Sequence, residues 1–260
     1  MEWELATAPR LKKAIDAGKL CILPFGSQEK HGEHLPIGTD MLLCYEIVRR
    51  AAEITGDVVF PKYYFAQVNE GRPYPGAVAI DPALVMPCLQ SVVDEIGRNG
   101  FKKIVICNGH GGNQGLIRYF MKSQNHRETD YTIYQCSYAA TGENIEAAHQ
   151  ILGEGGGHAG AWETSLMLGL FGEESIDRAA ITGAGEKHAR HNMTVGSTQA
   201  DWFAAYPEYL AGDPNKASVE KGRKLERIHI ENLVKYLNDV RDDTLAPELR
   251  REFFKKSRNP

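Results

Sequence analysis

The chain has 260 residues, 42% hydrophobic and 25% charged, with a formal net charge of −4. This balance provides no basic field for nucleic acid and no polybasic membrane anchor, and no apolar run approaches the ~20 residues that span a bilayer. The acidic start, Met1-Glu2-Trp3-Glu4, lacks the layout of a signal peptide, so the expectation is a cytoplasmic protein.

Residues 7–17 read as a short amphipathic helix stopped by Gly18, and the apolar run 20–25 as a buried strand. An irregular loop, 26–40, follows. Helical spacing of apolar residues runs from 41 to 55, and Gly56 closes it. Residues 57–65 form a second strand pattern in which Pro61 marks an edge or an end. Residues 67–81 hold two glycine and two proline breaks without a period, the signature of a long loop. Asp81-Pro82 opens a helix reaching about residue 98, with Pro87 inside its early turns. A third strand, 102–107, runs into Asn108-Gly109-His110-Gly111-Gly112-Asn113 and a helix to about residue 126. A fourth strand covers 131–137. Residues 139–157 are less regular and end in glycines, a helix covers 161–171, and 182–215 is polar and turn-rich. The longest helical pattern spans 216–240. Alternating strands and helices predict an α/β fold with a mostly parallel sheet covered on both faces. No linker or repeat divides the chain, so one domain over 1–260 is expected. Five scattered cysteines without a CxxC pair argue against a disulfide framework and a thiolate zinc site.

The chemistry concentrates in three segments. In Gly-Ser-Gln-Glu-Lys-His-Gly-Glu-His-Leu-Pro-Ile-Gly-Thr-Asp, residues 26–40, Glu29 and His31 alternate behind a buried strand and so can face one site. With Asp40 they suit a borderline divalent ion such as Zn²⁺ or Mn²⁺. Asp40 alone could be a helix cap, but that leaves Glu29 and His31 unexplained. His110 lies in a loop made thin by glycine. A phosphate cradle fits less well there, because Gln114 stands where the dinucleotide fingerprint needs glycine and no Walker lysine follows. The third segment, His158-Ala159-Gly160-Ala161-Trp162-Glu163-Thr164-Ser165, offers an imidazole and a carboxylate. Two divalent ions carry four positive charges, whereas Glu29, Asp40 and a bridging hydroxide supply three negatives. Glu163 is the carboxylate that would neutralise the remainder, ahead of Glu33 and Glu154. His188 and His191 sit in a charged run and read as exposed, and His34 as hydrogen-bonded within its own loop.

These three segments, with weaker echoes at 74–81 and 220–222, resemble the creatininase (creatinine amidohydrolase) family. The resemblance implies a three-layer α/β/α fold, two divalent metal ions (Zn²⁺ or Mn²⁺, with Fe²⁺ in some relatives) and a homo-oligomer, often a hexamer. It places Glu29 and His110 on one metal, His31 on the other, Asp40 between them, and His158 where protons are handled near a small-molecule amide. Two departures stand out. Gly112 occupies the place of a glutamate ligand in creatininase proper, and the tryptophans that close over creatinine fall at Ala139 and Glu154. The NGHGGN form looks more like relatives that open or trim other C–N bonds, formamides included. The expected reaction is hydrolysis of a non-peptide amide, cyclic or formyl, by a metal-bridging hydroxide held by Asp40, with His158 protonating the departing nitrogen. Tyr74 and Arg72 are candidate substrate contacts. The alternatives are a two-metal hydrolase of another bond, such as a phosphoester, and an inactive metal-binding member, which Gly112 would suit.

Overall fold

A computed structural model describes residues 1–139, 142–191, 193 and 195–259. Its centre is a sheet of β1 (Cys21–Phe25), β2 (Val58–Val59), β3 (Lys103–Asn108) and β4 (Thr132–Ser137), in the order β2-β1-β3-β4. All three pairings are parallel. Such strands need covered faces, and the buried runs in β1 and β3 are the sequence form of that need. Alternate residues divide between two cores. Cys21, Leu23, Phe25, Ile104 and Ile106 pack with Leu89, Val93 and Ile96 of α3 (Pro82–Arg98) and with Ile117 and Phe120 of α4 (Gln114–Ser123). Leu11 and Ile15 of α1 (Ala8–Asp16) close that side. Ile22, Val105 and Cys107 face the other way, toward α2 (Thr39–Thr55), α5 (Gly142–Leu152), α6 (Ala161–Phe171) and α8 (Val219–Asp242). The result is the expected three-layer α/β/α arrangement.

The register of the central pair positions the chemistry. Phe25 is paired with Asn108, so the loops leaving β1 and β3 start side by side at the carboxyl end of the sheet. Gly109 donates its N–H to the Phe25 carbonyl at 2.9 Å. A side chain at Gly109 would begin 2.5 Å from Cys44 Cβ, so glycine lets α2 lie against this junction.

Several expected boundaries move. β2 is two residues long rather than nine: Phe60 N–H still donates to Ile22 O, but the next bond to β1, on Pro24 O, comes from Tyr63 at 3.3 Å and not from Lys62, so the regular ladder ends at Pro61. The irregular stretch 139–157 contains α5, and the polar stretch 182–215 contains α7 (Asp201–Ala205). A final helix, α9 (Leu245–Ser257), follows α8 and was not anticipated. Between α8 and α9, Lys103 Nζ donates to the carbonyls of Val240, Arg241 and Asp243, satisfying groups that the end of α8 leaves free. Among the described residues no helix is long and apolar enough to cross a membrane.

Candidate metal centre

The loop after β1 turns on itself through a bridge between His31 and Leu35, and Glu29 N–H donates to Ile37 O at 3.0 Å. This folds Glu29, His31 and the start of α2 at Asp40 around one point. The loop after β3 brings His110 from the side, and the first turn of α6 brings Glu163. All six residues expected at the site converge, and His31, Glu29, Asp40 and His110 are nearly inaccessible. Three groups of donor atoms, each within 4.8 Å of one another, could hold a metal ion: Glu29, Asp40 and His110; His31, Asp40 and Glu163; and Glu29, His31 and His158. The first two share Asp40. Its Oδ2 lies 2.8 Å from His110 Nδ1 and its Oδ1 lies 3.1 Å from His31 Nε2. Ser27 Oγ donates to Oδ2 at 2.6 Å and fixes the carboxylate.

The outer nitrogen of each imidazole settles its orientation. His31 Nδ1 meets Glu29 O at 3.1 Å, His110 Nε2 meets Gln67 O at 2.8 Å, and His158 Nε2 meets Lys30 O at 2.9 Å. A carbonyl only accepts, so each of these nitrogens carries the proton and the other ring nitrogen turns inward. Three inward nitrogens and the inner carboxylate oxygens therefore crowd one space, an arrangement that demands positive charge between them. Burial opposes charge on His31, but Asp40, Glu163 and Glu29 outweigh it and raise its pKa to about 10. Burial likewise opposes charge on His110, and Asp40 and Glu29 again prevail and push it well above the usual histidine range. Asp40 is held well below the carboxylate range by His31 and His110 in spite of its burial. His158 goes the other way: burial, aided by the charge on His31, lowers it to about 4. Backbone carbonyls on the outer nitrogens and borderline donors inside are the environment in which metal-binding histidines are found.

The centre opens into a cavity of about 380 Å³ lined by Glu29, Asp40, Glu70, His110, Gly111, Gly112, His158, Glu163, Trp202 and Tyr209. Glu70, Trp202 and Tyr209 lie in turn-rich segments without period or motif, so the sequence carried no signal for them. Gln67 was also missed. Its N–H is held by Asn113 Oδ1, its carbonyl orients His110, and its amide nitrogen donates to both oxygens of Glu70 at 3.0 Å. Tyr74 and Arg72 do not line the cavity: the Tyr74 hydroxyl donates to Pro207 O, and Glu70 is the residue their loop contributes. His34 does not bond within its loop but meets Thr164 Oγ1 of α6 at 2.8 Å, tying the two motifs together. His188 and His191 are exposed, as expected.

With this geometry in view, comparison with known proteins is direct. The family profile described as creatininase, creatinine amidohydrolase, matches residues 4–237. The chain belongs to the creatininase family. It is 28% identical to the creatinine amidohydrolase of Pseudomonas putida over 165 residues, a match that spans 58% of this chain and 64% of that enzyme. It is 26% identical over 216 residues to the mycofactocin precursor peptide peptidase of Mycolicibacterium smegmatis, spanning 79% of each. The solved structure of a manganese creatininase superposes with a TM-score of 0.79 at 22% identity, covering 93% of this chain and 99% of that one.

Within this creatininase-family chain, Gly112 is a spatial requirement. A Cβ there would lie 2.5 Å from His110 Nε2 and 3.1 Å from Gln67 O. The position where the resemblance marked a missing glutamate ligand makes room for the bond that orients His110. Glu163 Oε1, 3.8 Å from His31 Nε2, is the carboxylate present on that side of Asp40. Trp202 from α7 walls the cavity, whereas Glu154 points into solvent.

Proposed function

We propose that the chain is a two-metal amidohydrolase that cleaves a non-peptide C–N bond in a small molecule. The observation that supports this is the pair of three-donor sets sharing Asp40 at the base of the cavity. Glu29, Asp40 and His110 would hold one ion, and His31, Asp40 and Glu163 the other, with Zn²⁺ and Mn²⁺ matching these donors. Divalent ions bound there supply Lewis acidity and make hydroxide available at neutral pH.

The protein's own groups divide the remaining work. Ser27, Gln67 and the Glu29 carbonyl keep the donors in place before substrate arrives. His158, neutral because it is buried, presents Nδ1 4.0 Å from Glu29 Oε1 while Nε2 stays bound to Lys30 O. Nδ1 can take the proton lost by the attacking water and return it to the departing nitrogen, a service worth roughly 10²–10⁴ in rate. The cavity is near the lower end of small-molecule sites, which suits a compact amide over a polypeptide segment. Its wall holds four carboxylates and, among the described residues, no lysine or arginine, which disfavours a phosphoester.

The test is metal content per chain, for protein purified without chelator, in wild type and Glu163→Gln, followed by a panel of cyclic amides, formamides and phosphoesters. Two ions in wild type, about one in the variant and turnover of an amide are expected. Wild-type protein that takes up no ion even after reconstitution overturns the reading. Two ions in both proteins would remove Glu163 from the ligand set.

A further inference from the structure

Among the described residues, two that are not glycine have left-handed backbones, Ala159 and Tyr209, each at φ 57°. L-residues with a Cβ rarely hold that conformation, and where they do, the surroundings over-determine it, commonly at functional sites. Both lie at this centre. The Ala159 N–H donates to Glu163 Oε2 at 2.5 Å, and the Tyr209 hydroxyl donates to Glu29 Oε2 at 2.8 Å. Glu163 and Glu29 belong to different donor sets. In each, one oxygen is occupied by the strained residue and the other is left for the centre: Glu29 Oε1 lies 3.0 Å from His110 Nδ1, and Glu163 Oε1 3.8 Å from His31 Nε2.

Tyr209 is fixed from every side. Its N–H donates to Tyr206 O and its carbonyl accepts from Gly32 N–H in the Glu29 loop, each at 3.0 Å. Its ring stands edge-on to His158 at 4.9 Å and lies 4.9 Å from Tyr74, and it is 2% exposed. Glu29 Oε2 is a carboxylate oxygen and accepts, so the phenol is the donor of this bond. We infer that Tyr209 is a positioning residue that restricts Glu29 to a single inward oxygen and thereby sets the affinity of the Glu29/His110 ion alone, while the Ala159 N–H does the same for Glu163. The inference rests on the two-metal reading and adds that the two ions are tuned separately. Hydrogen-bond partners of metal ligands typically matter about 10–100-fold in affinity.

The test is Zn²⁺ affinity by competition with a chromophoric chelator, on full-length wild type, Tyr209→Phe, Glu163→Gln and the double variant. Phenylalanine keeps the ring contacts and removes only the hydroxyl. Tyr209→Phe should weaken one of two ions by about 10–100-fold and leave the other unchanged. The same factor should separate the double variant from Glu163→Gln, where the Glu29/His110 ion is the one retained. Equal affinities in wild type and Tyr209→Phe, or equal weakening of both ions, overturn the inference and leave the two-metal reading intact. Loss of folding in metal-free Tyr209→Phe also overturns it, because the hydroxyl would then be structural. A wild type that binds no Zn²⁺ removes both.

Discussion

His31 and His229 are equally inaccessible, and their environments drive them in opposite directions. His31 has Glu29 O on one nitrogen and Asp40 on the other, and its pKa is raised to about 10. His229, on α8, stacks on Trp162 at 5.0 Å and meets the edge of Tyr138 at 5.8 Å. Neither of its nitrogens has a partner among the described residues, and burial alone lowers it to about 4. Burial is the same in the two places, so burial does not distinguish a site from a core. Convergent carboxylates do, because they reverse which protonation state the interior favours. His229 is a neutral aromatic plate holding α6 against α8, with a desolvation cost that nothing nearby offsets.

The largest effect should come from erasing that difference at its centre. Asp40→Asn removes the carboxylate that faces both His31 and His110. Both ions should be lost, and amide hydrolysis should fall on the order of 10³-fold or more, the scale of losing groups that stabilise charge at the reacting centre. Metal analysis and turnover on the responsive amide check this. Retention of two ions would show that Asp40 is not shared.

A smaller effect tests the other histidine. In the unfolded chain His229 titrates near 6.5, and in the folded protein near 4. Between these values the unfolded state binds more protons, so this contribution is complete above about pH 6.5 and declines as pH falls toward 4. The full window is worth roughly 3 kcal/mol. Urea unfolding of wild type and His229→Phe at pH 7.5 and 4.5 should show wild type losing more stability on acidification by most of that amount. Parallel losses would mean that His229 has a partner or solvent access.

The contrast also marks what was legible in the chain. Glu29, His31, Asp40, His110, His158 and Glu163 could be read because each sits in a short motif behind a strand or at a helix start, where local geometry fixes direction. The parallel sheet could be read from the apolar runs of β1 and β3. Tyr209 lies 180 positions from the carboxylate it binds, in a segment without a period, and only the folded chain joins them. Helix α5 was hidden by the glycines at both ends, which read as a loop although Ile145, Ala148 and Leu152 keep helical spacing. His34 read as local because its partner, Thr164, is 130 residues away.

The subtlest expected effect concerns two adjacent glycines in the His110 loop. A methyl group at Gly111 would meet nothing within 4 Å, whereas one at Gly112 would lie 2.5 Å from His110 Nε2. That nitrogen is the one that donates to Gln67 O, so Gly112→Ala has to turn the ring or break the bond that orients it. Zn²⁺ affinity of the Glu29/His110 ion should fall about 10–100-fold in Gly112→Ala, while Gly111→Ala binds as wild type does. Gly112→Glu, which installs the glutamate of creatininase proper, should weaken the same ion and not strengthen its neighbour, because the new side chain must pass through the space the His110 ring occupies. Equal affinities for the two alanine variants would mean that the loop relaxes freely and that the Gln67 carbonyl does not set the ring. A gain in affinity from Gly112→Glu would show that this chain retains room for the family's ligand and uses Glu163 for something else.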